Sequence, residues 1–97
     1  MVLSILVTPT FARAVKKLHA RDKIAVDEAV RVIAGDPMIG EEKKGDLAGI
    51  FVYKFKVNKQ EILVAYQPQP DKAAPTTVLM LSMGSHENFY AGLKRQN

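Results

Sequence analysis

Lys54 and Lys56 stand two residues apart in an alternating stretch of the chain. That spacing puts both ammonium groups on one side of a strand. Two cations on one sheet face can hold a phosphodiester and neutralise the charge that grows on it as a P–O bond breaks. The same pair also suits a plain solvated strand face, where lysines deter edge-to-edge aggregation. His86 follows Ser85, a residue type that caps helices, so it falls in the first turn of a helix. The positive helix end disfavours the imidazolium. A neutral imidazole there can take a proton from a hydroxyl and, once charged, return one. A first-turn histidine can equally well pack or face water. Tyr90, four residues on, shares its helix face and can stack on a base or donate a hydrogen bond. Glu87 reads most simply as a first-turn carboxylate favoured by the helix dipole.

The densest basic stretch is Arg13, Lys16, Lys17, Arg21 and Lys23, within eleven positions. It can contact phosphates, or it is the solvated side of a helical layer. Other chemistries are excluded by what the chain lacks. It has no cysteine and two histidines, His19 and His86. No zinc-type spacing is present, and no metal or organic cofactor is expected. Ser82 and Ser85 lack the glycine-flanked context of a hydrolase nucleophile. The six glycines are scattered through turns, so no phosphate-cradling loop is expected.

These residues need elements to hold them. Val2 to Val7 reads as a short buried strand that Pro9 ends. Thr8 or Thr10 can cap the helix that follows, from Thr10 to Leu18, with Phe11, Val15 and Leu18 on one face. Asp22 is expected to cap a second helix running to about Ala34, with Val26, Val30 and Ile33 as its stripe and Gly35 as a left-handed cap before Pro37. Met38 to Asp46 is a polar connection. The period then changes to two: Phe51, Tyr53, Phe55 and Val57 alternate with Ile50, Val52, Lys54 and Lys56. Asn58-Lys59 is a hairpin turn signal without glycine. Strands are expected over Glu61 to Tyr66 and Thr76 to Met83, the latter central, with Pro68 to Pro75 as a loop and a last helix from His86 to about Lys94.

The order is β-α-α-β-β-β-α, an α+β fold of one domain over residues 1–97 in which a small, mainly antiparallel sheet packs against a helical hairpin. A hydrophobic share of 47% is ordinary for a globular chain and argues against disorder. The opening apolar run is too short and lacks the basic start of a signal peptide, and nothing approaches a membrane span, so a cytoplasmic protein is expected. Fourteen Lys and Arg against ten Asp and Glu give +4, a sign that suits an anionic partner or serves solubility.

The stretch Lys44-Gly45-Asp46-Leu47-Ala48-Gly49-Ile50-Phe51-Val52-Tyr53-Lys54 and the close Met83-Gly84-Ser85-His86-Glu87-Asn88-Phe89-Tyr90 resemble the corresponding segments of the RelE/ParE toxin superfamily. The likeness spans nearly the whole chain and includes the element order. It implies a toxin of a type II toxin–antitoxin system, paired with an antitoxin encoded beside it. RelE-like members cleave messenger RNA on the ribosome by attack of a 2′-hydroxyl on the adjacent phosphorus, leaving a 2′,3′-cyclic phosphate. By position, the resemblance makes His86 the base or acid, Lys54 and Lys56 the charge stabilisers, and Tyr90 the residue that orients base or nucleotide. Arg13, Lys16 and Lys17 are then candidate RNA contacts. Leu63 stands where many RelE-like members carry an arginine. The alternative is therefore a ParE-like inhibitor of DNA gyrase without nuclease activity. In either case a toxin–antitoxin complex that binds operator DNA is implied.

Overall fold

The structure, a computed structural model, describes residues 3–85. The expected last helix, with His86 and Tyr90, lies outside the described residues. The described elements are β1 (Ser4–Val7), α1 (Pro9–Lys16), α2 (Ala20–Gly35), β2 (Glu41–Glu42), a 3₁₀ turn (Gly45–Leu47), β3 (Phe51–Val57), β4 (Gln60–Gln69) and β5 (Thr77–Gly84). The strands form one sheet in the order β1-β5-β4-β3-β2. The β3–β4 and β4–β5 pairs are antiparallel, as a meander requires. β1 joins the sheet parallel to β5, with Ser4 opposite Thr77 and Val7 opposite Met80.

Both helices lie on one face. Phe11, Val26, Val30, Ile33 and Ala34 pack there with Phe51, Val64, Tyr66, Val78 and Met80. These sheet residues alternate along their strands, so the opposite face carries a second, smaller cluster of Leu47, Ile50, Val52, Leu63 and Ala65. The expected central position of the third meander strand holds, since β5 lies between β1 and β4.

Helix α1 starts where Pro9 permits it. The Thr8 hydroxyl accepts a hydrogen bond from the Phe11 N–H at 3.1 Å and donates one to the Leu81 carbonyl at 2.7 Å. One side chain therefore caps the helix and fastens it to β5. Leu81 is the extra residue of a bulge, because Ala65 faces Ser82 while Tyr66 faces Met80. The β3–β4 hairpin turns on Asn58 and Lys59, both at positive φ (52° and 68°), the backbone of a two-residue type I′ turn.

Several expectations are corrected. β1 is not buried: Ile5, Leu6 and Val7 are 41%, 54% and 48% exposed, because the strand sits at the end of the sheet order. Asp22 does not cap α2. The helix begins at Ala20, His19 occupies the cap without a side-chain hydrogen bond, and Asp22 lies in the first turn. Gly35 is helical rather than left-handed, and the Asp36 N–H bonds back to Val32 O at 3.0 Å. The polar connection contains a strand, β2, paired with Phe51 and Val52. Pro68 is in β4, opposite Val78, not in a loop. It is tolerated because β3 ends its pairing at Tyr66, so Pro68 lies on a stretch of β4 with no β3 neighbour.

Candidate active site

Strand β3 projects Lys54 and Lys56 from the sheet face opposite the helices, and both are exposed. The register decides what stands beside them. Lys54 pairs with Leu63, and Leu63 pairs with Gly84. The three form one row across β3, β4 and β5, about 10 Å from end to end at ordinary strand spacing. Gly84 is the last residue of β5, two residues before His86 in the sequence. Lys56 stands opposite Glu61, a cross-strand pair of opposite charge.

The neighbouring row is Glu41, Val52, Ala65 and Ser82. Glu41 is hydrogen-bonded and ion-paired to the Lys43 ammonium. That hydrogen bond, then the charge of Lys43, and lastly the charge of Lys54 hold the Glu41 carboxyl below the usual carboxylate range. Lys43 and Glu41 therefore belong to the same charged surface as Lys54. Sequence reasoning assigned them to a connection. The signal available was the spacing of two between Glu41 and Lys43, which has meaning only once β2 is known to pair with β3. Ser82 is buried on this face, and its hydroxyl has no hydrogen-bond partner among the described residues.

The position of β2 is itself fixed from the other face. Tyr66 is fully buried. Its hydroxyl donates to Pro37 O at 2.7 Å and accepts from the Gly40 N–H at 3.0 Å. A Cβ on Gly40 would come within 2.8 Å of that hydroxyl and 2.9 Å of Val52 O, so glycine is what lets the segment lie this close. Burial raises the Tyr66 hydroxyl to about 12.

The structure brings together only part of the expected set. Lys54 and Lys56 share the face opposite the helices, exposed beside the buried Val52, Leu63 and Ala65. Arg13 and Lys16 are exposed on α1 and Lys17 at its C-terminal cap, and the Phe11 of this helix is buried in the helix-side core. The sheet separates them from the two lysines, so they form a second basic surface and not an extension of the first. His86 and Tyr90 lie outside the described residues. Leu63, at the centre of the Lys54 row, is fully buried. Among the described residues no three acidic or histidine side chains are grouped to hold a metal, and no helix is long and apolar enough to cross a membrane.

A five-stranded sheet backed by this helical layer has known counterparts. The model of the ParE-like toxins of type II bacterial toxin–antitoxin systems matches residues 5–94. The chain belongs to this family. Among solved structures, the toxin–antitoxin complex RelBE2 of Mycobacterium tuberculosis matches at 25% identity and TM-score 0.72, over 89% of this chain and 100% of that one. A mutant of the E. coli toxin RelE in the free state matches at 15% identity and TM-score 0.73, over 98% of both chains. The archaeal RelE–RelB complex of Pyrococcus horikoshii matches at 12% identity and TM-score 0.57, over 90% of this chain and 98% of that one. No curated protein sequence matches it. The toxin therefore has the RelE fold, with a leucine at the middle of the row that begins with Lys54.

Proposed function

We propose that the toxin is a ribosome-dependent messenger RNA endonuclease. The observation that carries this reading is the row from Lys54 through Leu63 to Gly84, which aligns the exposed Lys54 with the strand end that leads to His86. In the reaction the 2′-hydroxyl of one nucleotide attacks the adjacent phosphorus and the 5′-oxygen of the next nucleotide leaves. The products are a 2′,3′-cyclic phosphate and a 5′-hydroxyl. His86 takes the proton from the attacking hydroxyl or gives one to the leaving oxygen. Lys54, with Lys56 beside it, stabilises the charge on the phosphoryl oxygens. Tyr90 orients the nucleotide or the imidazole. The chemistry needs no metal or organic cofactor. The partners are the ribosome, messenger RNA and a cognate antitoxin, the last in keeping with the antitoxin complexes of the RelE-fold relatives. The site of action is the cytoplasm, and the toxin–antitoxin complex binds operator DNA.

Leu63 favours a second reading. A buried leucine supplies no charge to a phosphodiester, and the family model is ParE-like. A gyrase inhibitor would bind its target with this surface and need no catalytic groups. Induction of the toxin in cells, beside its His86→Ala variant, separates the two. Rapid arrest of translation with cut messages, abolished by the variant, supports the nuclease. Arrest of DNA synthesis with the variant still toxic supports the gyrase reading.

A further inference from the structure

On the helix side of the sheet, away from the lysine face, a cavity of about 90 Å³ lies between the α1–α2 link and the far end of the β3–β4 hairpin. Its walls include Leu18, Val26, Ile62 and Met83, and its polar lining includes Asp22 and Gln60. The Asp22 Oδ1 is buried and has no hydrogen-bond partner among the described residues. An unpaired buried carboxylate oxygen is costly, and it is relieved by a donor that arrives with its own apolar covering. The volume has room for several waters, or for a slender aliphatic chain with a small polar head.

We propose that this cavity receives a lysine side chain of a protein partner, its methylenes against the apolar walls and its ammonium on Asp22. The partner is the antitoxin, so the inference rests on the toxin–antitoxin part of the reading above and not on the nuclease. Three features select lysine. The walls match an alkyl stem. One carboxylate oxygen, Oδ1, is the buried one, so it suits a point donor rather than the planar fork of arginine. The Gln60 side-chain amide offers a further acceptor for the other ammonium protons. On a chain of net charge +4, a cation-accepting pocket also distinguishes this end of the molecule from its basic surfaces.

The test is an amide NMR titration of the full chain with N-acetyl-lysine methylamide, its arginine counterpart, and N-acetyl-norleucine methylamide as the uncharged isostere. The lysine probe should shift the amides of Leu18, Asp22, Val26, Ile62 and Met83. Norleucine should bind at least about tenfold more weakly, as should the lysine probe to Asp22→Asn. Ile62→Phe narrows the cavity with the carboxylate in place, and it should abolish the shifts should Asp22→Asn not fold. Equal binding of norleucine, tighter binding of arginine, or no shifts at all overturns the proposal. The titration involves neither RNA nor toxicity, so its failure leaves the nuclease reading standing. A toxic His86→Ala variant would likewise leave the cavity untouched.

Discussion

Replacing Tyr66 with phenylalanine removes one oxygen from the core and leaves two groups without partners. These are the Pro37 carbonyl and the Gly40 N–H, now held at 2.7 and 3.0 Å. The ring itself keeps its packing against Phe51, 5.6 Å away between centroids. The loss is thus almost wholly polar, at roughly 1 kcal/mol for each bond, or about 2 kcal/mol together. For a domain of this size that lowers the melting temperature by about 10 °C. A second signature is linked to pH. Burial raises the Tyr66 hydroxyl from 10.0 to about 12 in the folded state. A raised pKa means that between those values the folded state holds the proton and the unfolded state has lost it. The wild type therefore keeps this stability below pH 10 and loses most of it, on the order of 2 kcal/mol, as pH rises from 10 to 12. Tyr66→Phe has no such proton, so the gap between variant and wild type should narrow over that range. Urea denaturation at pH 7 and in steps from pH 9 to 12 measures both effects. A variant within about 0.5 kcal/mol of wild type at pH 7 would refute the reasoning, as would a gap that stays constant to pH 12. Because the same hydroxyl fixes the segment entering β2, the variant should also loosen Glu41 and Lys43 beside Lys54.

Other substitutions probe other parts of the argument. Lys59→Gly relieves a side chain at φ 68° and should stabilise the fold by about 1 kcal/mol, seen as a higher urea midpoint with an unchanged slope. Leu63→Ala opens a cavity at a fully buried position and should cost about 3 kcal/mol in the same assay. Lys54→Ala should leave the melting temperature unchanged and slow cleavage of ribosome-bound message about 10²-fold, measured by primer extension on a translated template. Lys72→Ala breaks the exposed contact to both Glu42 oxygens at 2.8 Å, and its effect should stay below about 1 kcal/mol in urea denaturation.

The sequence by itself determined the local devices. Thr8 before Pro9 sets the start of α1, Asn58-Lys59 sets the hairpin, and the period of two in β3 puts Lys54 and Lys56 opposite Phe51, Tyr53 and Phe55. Each depends on neighbours a few residues apart, where backbone geometry and side-chain type suffice. Only the tertiary structure decided which strands meet and in what register. It placed β1 parallel to β5 at an exposed edge and ran β4 through Pro68 where no β3 neighbour needs an N–H. It also brought Glu41 and Lys43 beside Lys54, set Leu63 in the Lys54 row, and put Arg13, Lys16 and Lys17 beyond the sheet from that row. Pairing register is a long-range choice, made by which apolar sets on distant segments are buried together. No local pattern encodes it, and in this toxin it is the register that determines the company the two lysines keep.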